Sequence, residues 1–435
     1  MKKIKKINIL SLYYNLMNIV LFTDDFYPNL GGISNVLLNL YKQFDDREET
    51  LFVFNPFSKG KNLFDKLIKK NLTLREFGHL LRKKNFYSYT LLSLWSILRD
   101  KKISFSQRIK LILYLFTKSK IFRLILLNVY NLYPRLKNKN FDLVIAGHSG
   151  WILPLSFIIS RIFKKKLISI AYGLGFLVEN PLSFKTYYFR NTEKIILITH
   201  HTKELIKKMH HLNEEKLEVI YVGVDTDSLE IKKTKLELRK EFNISTDNFI
   251  ILSVGRHVPR KNFQLVLRAL NEINTLNLNP SSNIKYFLIG EGEETTNLKQ
   301  LTKDLDLENQ VIFLGSCDVI TRNKYYKMAD LFIMPSITKN NDIEGFGIVY
   351  LEANYFKVPV IGTATGGISE AIIDGETGFL IKQNNINDLV DKIIFLYNNE
   401  LKRKEMGENG FNRVIRDFKW ENIIQNYLNL IRKLI

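Results

Sequence analysis

The sequence predicts two α/β domains, each a doubly wound parallel sheet, facing each other across a cleft. Three observations carry the prediction. At 435 residues the chain exceeds what one hydrophobic core usually supports. Short β-branched runs of strand length alternate with longer segments of helical periodicity, as in successive βα units. That alternation restarts after Asp225–Asp247, a polar stretch rich in Lys and Glu that contains a helical segment at Leu236–Phe242.

In the first half the expected strands are Ile19–Thr23, Thr50–Phe54, Leu143–Ala146, Leu167–Ala171, Lys194–Ile198 and Leu217–Tyr221. The second half supplies Phe249–Val254, Lys285–Ile289, Val311–Phe313, Leu331–Met334, Val358–Ile361 and Gly378–Ile381. The boundaries that follow are an extension over 1–16, a first domain over 17–228, a second over 229–412 and a terminal helix over 413–435. Residues 1–16 imitate a secretory signal, but Asn8, Asn15 and Asn18 break the apolar stretch and no small-residue cleavage site precedes Asp24. An extension, or a true start at Met17 instead of Met1, accounts for them. No run reaches the roughly 18 apolar residues that a spanning helix needs.

Cys317 is the lone cysteine, which excludes an intramolecular disulfide and points to a reducing, cytoplasmic compartment. The net charge of +20 is uneven: from Lys59 to Lys139 there are 20 Lys or Arg against three acids. Large aliphatics interleave with those cations, as in Leu111–Phe116, a pattern suited to amphipathic helices on an anionic membrane surface. Lys-rich solvated faces of ordinary domain helices are the plainer account. Nucleic acid is not expected, because the segment lacks zinc-ligand spacing and an RNA-reading aromatic motif.

In open parallel sheets, ligands sit at the carboxyl ends of the strands. The strand Phe249–Val254 runs into Gly255-Arg256, and Lys261 follows in GRHVPRKN. Two cations leaving one strand end can grip a pyrophosphate, Arg through its planar fork and Lys as a point charge. Arg260 is a third candidate, and a solvated basic loop is the alternative for all three. In DIEGFGIVYLEA, Glu344 and Glu352 stand eight positions apart around Gly345-Phe346-Gly347-Ile348. Glycine lets a backbone approach a ligand, helix-start amides receive phosphate oxygens, and carboxylates accept hydrogen bonds from sugar hydroxyls. Glu344 is expected in the turn and Glu352 about two turns into a helix. A surface helix with an N-terminal glutamate is the structural alternative. Gly366-Gly367, after Val358–Ile361, forms another backbone-rich cradle, and Gly290–Glu293 is a strand-to-helix turn. Gly31-Gly32 follows the first strand and borders the same cleft from the other side.

These pieces, with ADLFIMPS at 329–336, VPVIGTATGG at 358–367 and DGETGFLI at 374–381, occur in an order that resembles the retaining GT-B glycosyltransferases of group one, marked by an E-x7-E motif. First-half similarity is thinner: MNIVLFTDDFYPNLGG at 17–32, FDLVIAGHSG at 141–150 and GVD at 223–225. The resemblance implies the GT-B fold and transfer of a hexose from a nucleoside-diphosphate sugar, without a metal or a permanently bound cofactor. It implies that Arg256 and Lys261 neutralise the donor pyrophosphate, Glu344 faces the transferred sugar and Glu352 binds the ribose. Gly255, the amides around Gly345–Ile348 and Gly366-Gly367 belong to the donor site. His148 matches a histidine placed against the donor sugar, a satisfied strand-end residue being the alternative, and Gly31 and Gly32 match a loop near acceptor and phosphate. Retention of configuration, by same-face attack in which the leaving phosphate takes the acceptor proton, is implied too. The terminal helix is expected to cross back to the first domain at Phe418-Lys419-Trp420.

Two departures stand out: Tyr172 occupies a turn where the family frequently has histidine, and Ile337–Ile343 is a polar insertion. The form of DIEGFGIVYLEA is similar to phosphatidylinositol mannosyltransferases, which hints at GDP-mannose, leaving GDP- or UDP-hexose as donor. A glycolipid, lipid-linked or polysaccharide acceptor at the inner face of the cell membrane completes the expectation. A soluble epimerase or a glycogen- or sucrose-type synthase of the same fold is the alternative, and a basic nucleic-acid-binding protein is a more distant one.

Overall fold

The computed structural model describes residues 18–23, 50–54, 136–150, 152–172, 185–276, 283–339 and 342–435, with a few isolated positions before 136. Most of the basic segment 59–139, with Gly31 and Gly32, lies outside the described residues. The chain divides into two compact units. One comprises Met1–Ile196, Ile206–Glu218 and Leu428–Ile435, and the other Leu197–Leu205 and Val219–Tyr427.

The first sheet holds β1 (Asn18–Phe22), β2 (Thr50–Phe54), β3 (Leu143–Ala146), β4 (Lys166–Ala171), β5 (Lys194–Leu197) and β6 (Leu217–Val219), in the order β2-β1-β3-β4-β5-β6. β1 pairs in parallel with β2 and β3, and β3 with β4. All four residues of β3 are buried, as expected of a parallel strand covered on both faces. Helix α1 (Ile152–Ile162) covers β3 and β4, burying Ile152, Leu155 and Ile159 among others. Helix α2 (Lys185–Arg190) precedes β5, and α3 (His200–His210) leaves it.

In the second sheet, β7 (Phe249–Val254), β8 (Ile284–Ile289), β9 (Val311–Gly315), β10 (Leu331–Met334), β11 (Val360–Thr363) and β12 (Gly378–Ile381) run in the order β12-β11-β10-β7-β8-β9. Every pair in it is parallel. All six residues of β7 are buried, which is why FIILSV reads as one apolar run. β11 begins two residues later than its apolar run predicts. Pro359 has no N–H for the ladder, and its carbonyl instead accepts from Phe332 N at 3.0 Å.

The described α-helices of this half are α4 (Thr226–Leu229), α5 (Lys235–Glu241), α6 (Phe263–Thr275), α7 (Thr295–Asp304), α8 (Val319–Met328), α9 (Ile348–Tyr355), α10 (Ile368–Ala371), α11 (Ile386–Asn398), α12 (Glu400–Asp417) and α13 (Trp420–Arg432), and a 3-10 turn spans Pro259–Lys261. A capping box starts α5: the Thr234 hydroxyl accepts from Glu237 N while the Glu237 carboxylate accepts from Thr234 N. No described helix is long and apolar enough to cross a membrane.

The two sheets give the expected pair of doubly wound α/β domains. In the second sheet, the chain lays β8 and β9 on one side of β7 and then returns to lay β10 to β12 on the other. The reversal leaves a topological switch point between β7 and β10, and the loops at their carboxyl ends, 255–262 and 335–347, flank it.

Candidate functional site

Both loops bring charge to that switch point. From the β7 side, Arg256 is exposed, while the side chains of Arg260 and Lys261 are each 11% exposed. From the β10 side comes Glu344, 12% exposed. Lys261 Nζ donates to Glu344 Oε2 at 2.6 Å, and Arg260 Nη1 donates to the same oxygen. Arg260 Nε also lies 2.9 Å from Asp342 Oδ1, in an orientation that makes a charge pair but not a directed hydrogen bond. Burial alone would raise the Glu344 carboxyl, yet Lys261 and Arg260 outweigh it and hold the group below its ordinary range. The Lys261 ammonium is lowered by burial against the pull of Glu344, with Arg260 and Arg256 adding to the lowering. Counting Arg256, Arg260 and Lys261 against Asp342 and Glu344, the cluster keeps one surplus positive charge.

Backbone geometry completes the cradle. Gly347 is left-handed at φ 82° and caps α9, whose first residue is therefore Ile348. Glu352 thus lies little more than one turn into the helix, a correction to the expected two turns. Among the described residues, the amides of Gly345, Phe346 and Gly347 donate to no backbone carbonyl. The turn after β11 presses against this loop: Gly367 N donates to Glu344 O at 3.0 Å, and a Cβ on Gly367 would stand 2.0 Å from Gly345 O.

Glu352 faces α8. Its Oε2 accepts from the Tyr326 hydroxyl at 3.0 Å, and its Oε1 is 3.5 Å from Arg322. The two glutamates of the eight-residue spacing therefore have different partners: Glu344 the cations of the β7 loop, Glu352 a tyrosine and an arginine of α8. His148 follows β3 in the first unit, where its Nδ1 accepts from Gly150 N at 2.9 Å. Gly255 leads from β7 into the basic loop, its N–H donating to Ile289 O at 3.0 Å.

Several contacts escaped the sequence. Glu370, on α10, accepts from His200 N and His201 N, both at 2.8 Å, and from the Tyr221 hydroxyl at 3.0 Å. Burial and then Glu370 push the Tyr221 phenol up to about 12. Its ring stacks on Phe346 with centroids 5.6 Å apart, and Thr199 Oγ1 donates to Gly345 O at 3.3 Å. Residues 199–201 and 221 thus brace both glycine turns from behind. Asp342, the first residue of DIEGFGIVYLEA, likewise has no role in the sequence expectation; its place three residues after Lys339 and two before Glu344 was the available signal.

The chain matches two family models in succession. Residues 30–228 match Glycosyltransferase Family 4, and residues 234–413 match Glycosyl transferases group 1. The chain belongs to the GT-B glycosyltransferases. This glycosyltransferase is 31% identical over 237 residues to the N-acetyl-alpha-D-glucosaminyl L-malate synthase of Bacillus anthracis, an alignment covering 54% of this chain and 59% of that protein. It is 25% identical over 425 residues to an uncharacterized glycosyltransferase of Methanocaldococcus jannaschii, covering 95% and 98% of the two chains. The crystal structure of Anabaena Alr3699/HepE in complex with UDP-glucose superimposes with a TM-score of 0.67 at 20% identity, covering 96% of this chain and all of the other. Within the glycosyltransferase, the matched group 1 segment contains Arg256, Lys261, Glu344 and Glu352.

Proposed function

We propose that the protein transfers a hexose from a nucleoside-diphosphate sugar to a glycolipid, lipid-linked or polysaccharide acceptor, with retention of anomeric configuration. One observation carries the reading: at the switch point of the second sheet, a cation loop and a glycine-rich helix start share a carboxylate, with one positive charge to spare. A diphosphate suits that surplus, and a hexose attached to it suits the carboxylate.

In this reading Arg256 and Lys261 take the diphosphate oxygens, and the amides of Gly345, Phe346, Gly347 and Ile348 add neutral donors at a helix start. Glu344 accepts from hydroxyls of the transferred sugar and Glu352 from the ribose. Gly255, Gly366 and Gly367 allow the backbones close to the ligand. As the bond to the anomeric carbon breaks, negative charge grows on the leaving diphosphate and positive charge on the sugar ring. The cations and amides stabilise the first, and Glu344 the second. Attack on the face from which the diphosphate leaves lets a phosphate oxygen take the acceptor proton, so no separate general base is required. By the family resemblance, His148 is assigned to the donor sugar and Gly31-Gly32 to a loop near acceptor and phosphate. The cationic segment 59–139 holds the enzyme to anionic lipid at the cytoplasmic face, near a lipid-borne acceptor.

UDP-glucose in complex with a protein of the same fold supports a uridine donor, and the motif form leaves GDP-hexoses in contention. A thermal-shift panel of UDP-, GDP- and ADP-sugars identifies the nucleotide. Proton NMR of the product anomer, formed on an extracted membrane glycolipid acceptor, tests retention. Absence of stabilisation by every nucleotide sugar overturns the reading, and a single epimerised sugar nucleotide as product turns it into the epimerase alternative. Flotation with vesicles containing phosphatidylglycerol, compared with pure phosphatidylcholine, tests the membrane contact.

A further inference from the structure

Arg260 invites assignment to the phosphate grip beside Arg256 and Lys261, but its surroundings say otherwise. Its guanidinium is nearly buried and already committed to two carboxylates, Glu344 through Nη1 and Asp342 through Nε. Its main chain is committed too: Arg260 O accepts from Ile337 N at 2.8 Å, where the chain leaves β10 for the polar insertion. Within the insertion, Lys339 and Asp342 exchange both backbone hydrogen bonds, at 3.1 and 2.8 Å, which fixes the position from which Asp342 reaches back. Arg256, by contrast, is exposed and free to turn toward a ligand.

We propose that Arg260, held by Asp342 of the insertion, is a positioning residue: it fixes the Glu344 carboxylate toward the donor sugar and does not itself bind the diphosphate. The inference rests on the donor-site reading above. Two donors from adjacent residues meet one carboxylate oxygen. Lys261 alone, with three rotatable N–H bonds, sets a distance to Glu344, whereas the planar fork of Arg260 also sets a direction. That leaves Lys261 able to divide its donors between Glu344 and a phosphate, while Asp342 keeps Arg260 from swinging away. The polar insertion thereby acquires a purpose: it supplies the second anchor for the residue that aims Glu344.

The charged and titratable groups facing Glu344 are Arg260 and Lys261 from the β7 loop, Asp342 from its own loop and the Tyr350 hydroxyl from α9, with Arg256 beyond Lys261. Removing the Arg260 charge should therefore raise the Glu344 pKa, and an opposite charge at this range moves a carboxylate by about 1–3 pH units.

The test compares wild type, R260Q and R260K, purified as full chains and checked for folding by circular dichroism. The donor is whichever UDP- or GDP-sugar the wild type turns over. Profiles of kcat/KM against pH, and inhibition by free UDP and GDP, are recorded for each. The expected result for R260Q is an acid limb displaced upward by about 1 pH unit or more. Its kcat should be reduced and its inhibition by the nucleoside diphosphate changed less than threefold. R260K, which keeps the charge, should return the limb to within a few tenths of a unit of wild type.

An unmoved acid limb in R260Q, or a tenfold or greater weakening of nucleoside-diphosphate inhibition, overturns the inference and makes Arg260 a phosphate ligand or a mere packing residue. Should R260Q fail to fold, D342N decides. It should lower kcat without weakening nucleoside-diphosphate inhibition, and wild-type kcat in a folded D342N overturns the anchoring role. A wild type that turns over no nucleotide sugar refutes the donor-site reading and this inference with it. An active wild type with an unmoved limb refutes this inference alone.

Discussion

Replacing Lys261 by alanine removes one cation from the switch-point cluster, leaving Arg256 and Arg260 against Asp342 and Glu344. The local surplus of positive charge falls to zero. A unit charge about 4 Å from a phosphate oxygen is worth about 4 kcal/mol at an effective dielectric near 20. Desolvation and the hydrogen bonds lost to water reduce a charge-assisted contact to about 1.5–3 kcal/mol net. Because the Lys261 side chain is only 11% exposed, solvent screening trims that little further. At 1.36 kcal/mol per decade, kcat/KM for the nucleotide sugar should fall between about 10-fold and about 150-fold. Glu344 loses its first counter-charge as well, so the acid limb should move up in pH. Steady-state release of nucleoside diphosphate, followed from pH 4 to 8 with circular dichroism to establish folding, measures both effects. A folded K261A with wild-type kcat/KM would remove the diphosphate grip from the mechanism, whatever became of the limb.

In E352Q the Tyr326 hydroxyl and Arg322 lose their shared anion, and binding of free UDP or GDP, measured by calorimetry, should weaken about tenfold with little change in kcat at saturating donor. G367A forces a methyl group to within 2.0 Å of Gly345 O and 2.8 Å of the Thr199 methyl, so the two glycine turns must part. That overpacking should cost about 1–3 kcal/mol in a thermal melt and raise the donor KM. Asp330, at the other end of β10, accepts from Arg239 Nη2 and Lys235 Nζ at 2.6 Å each and from Ile250 N at 2.7 Å. D330N leaves the buried Arg239 without its counter-charge and should destabilise the second unit by about 3–5 kcal/mol in urea. Burial opposes ionisation of Asp330, but Lys235 and Arg239 prevail and its pKa is lowered. Its stabilisation is therefore complete above the unfolded aspartate value near 3.9 and is lost as pH falls through the folded value. That dependence should vanish in D330N, and an unchanged acid-unfolding curve would contradict the assignment.

Parallel strands buried on both faces announce themselves as apolar runs, which is why β7 and β10 were legible to the residue. The start of β11 was not, because Val358 is buried and apolar like its neighbours while Pro359 excludes the ladder. Similarly, the glycines around Phe346 marked a loop that approaches something closely, but the left-handed Gly347 that delays α9 is a backbone angle no spacing displays. Charge pairing was the least legible feature. Arg260 and Glu344 are 84 residues apart and Glu370 and His200 are 170 apart, and nothing local in either segment names its partner. Gly31, Gly32 and most of the cationic stretch fall outside the described residues, so those expectations stand on the sequence alone.

The same separation in sequence explains why the cluster is built as it is. Three cations on one short loop repel one another, and holding two of them nearly buried multiplies the cost. Carboxylates from the neighbouring loop lower it, but only if that loop is rigid, since a carboxylate free to swing out leaves buried charge behind. Glycine turns alone would not provide rigidity, being the segments with most conformational freedom to lose. Here the turns are locked from outside themselves: Thr199 holds Gly345, Glu370 is pinned by the α3 amides and by Tyr221, and Tyr221 presses its ring onto Phe346. Close backbone packing and charge pairing are therefore one solution. The glycines permit the approach that lets Glu344 meet Lys261, and the brace behind them keeps that approach from relaxing. What remains uncompensated, the exposed charge of Arg256, is the part of the cluster that an incoming anion meets first.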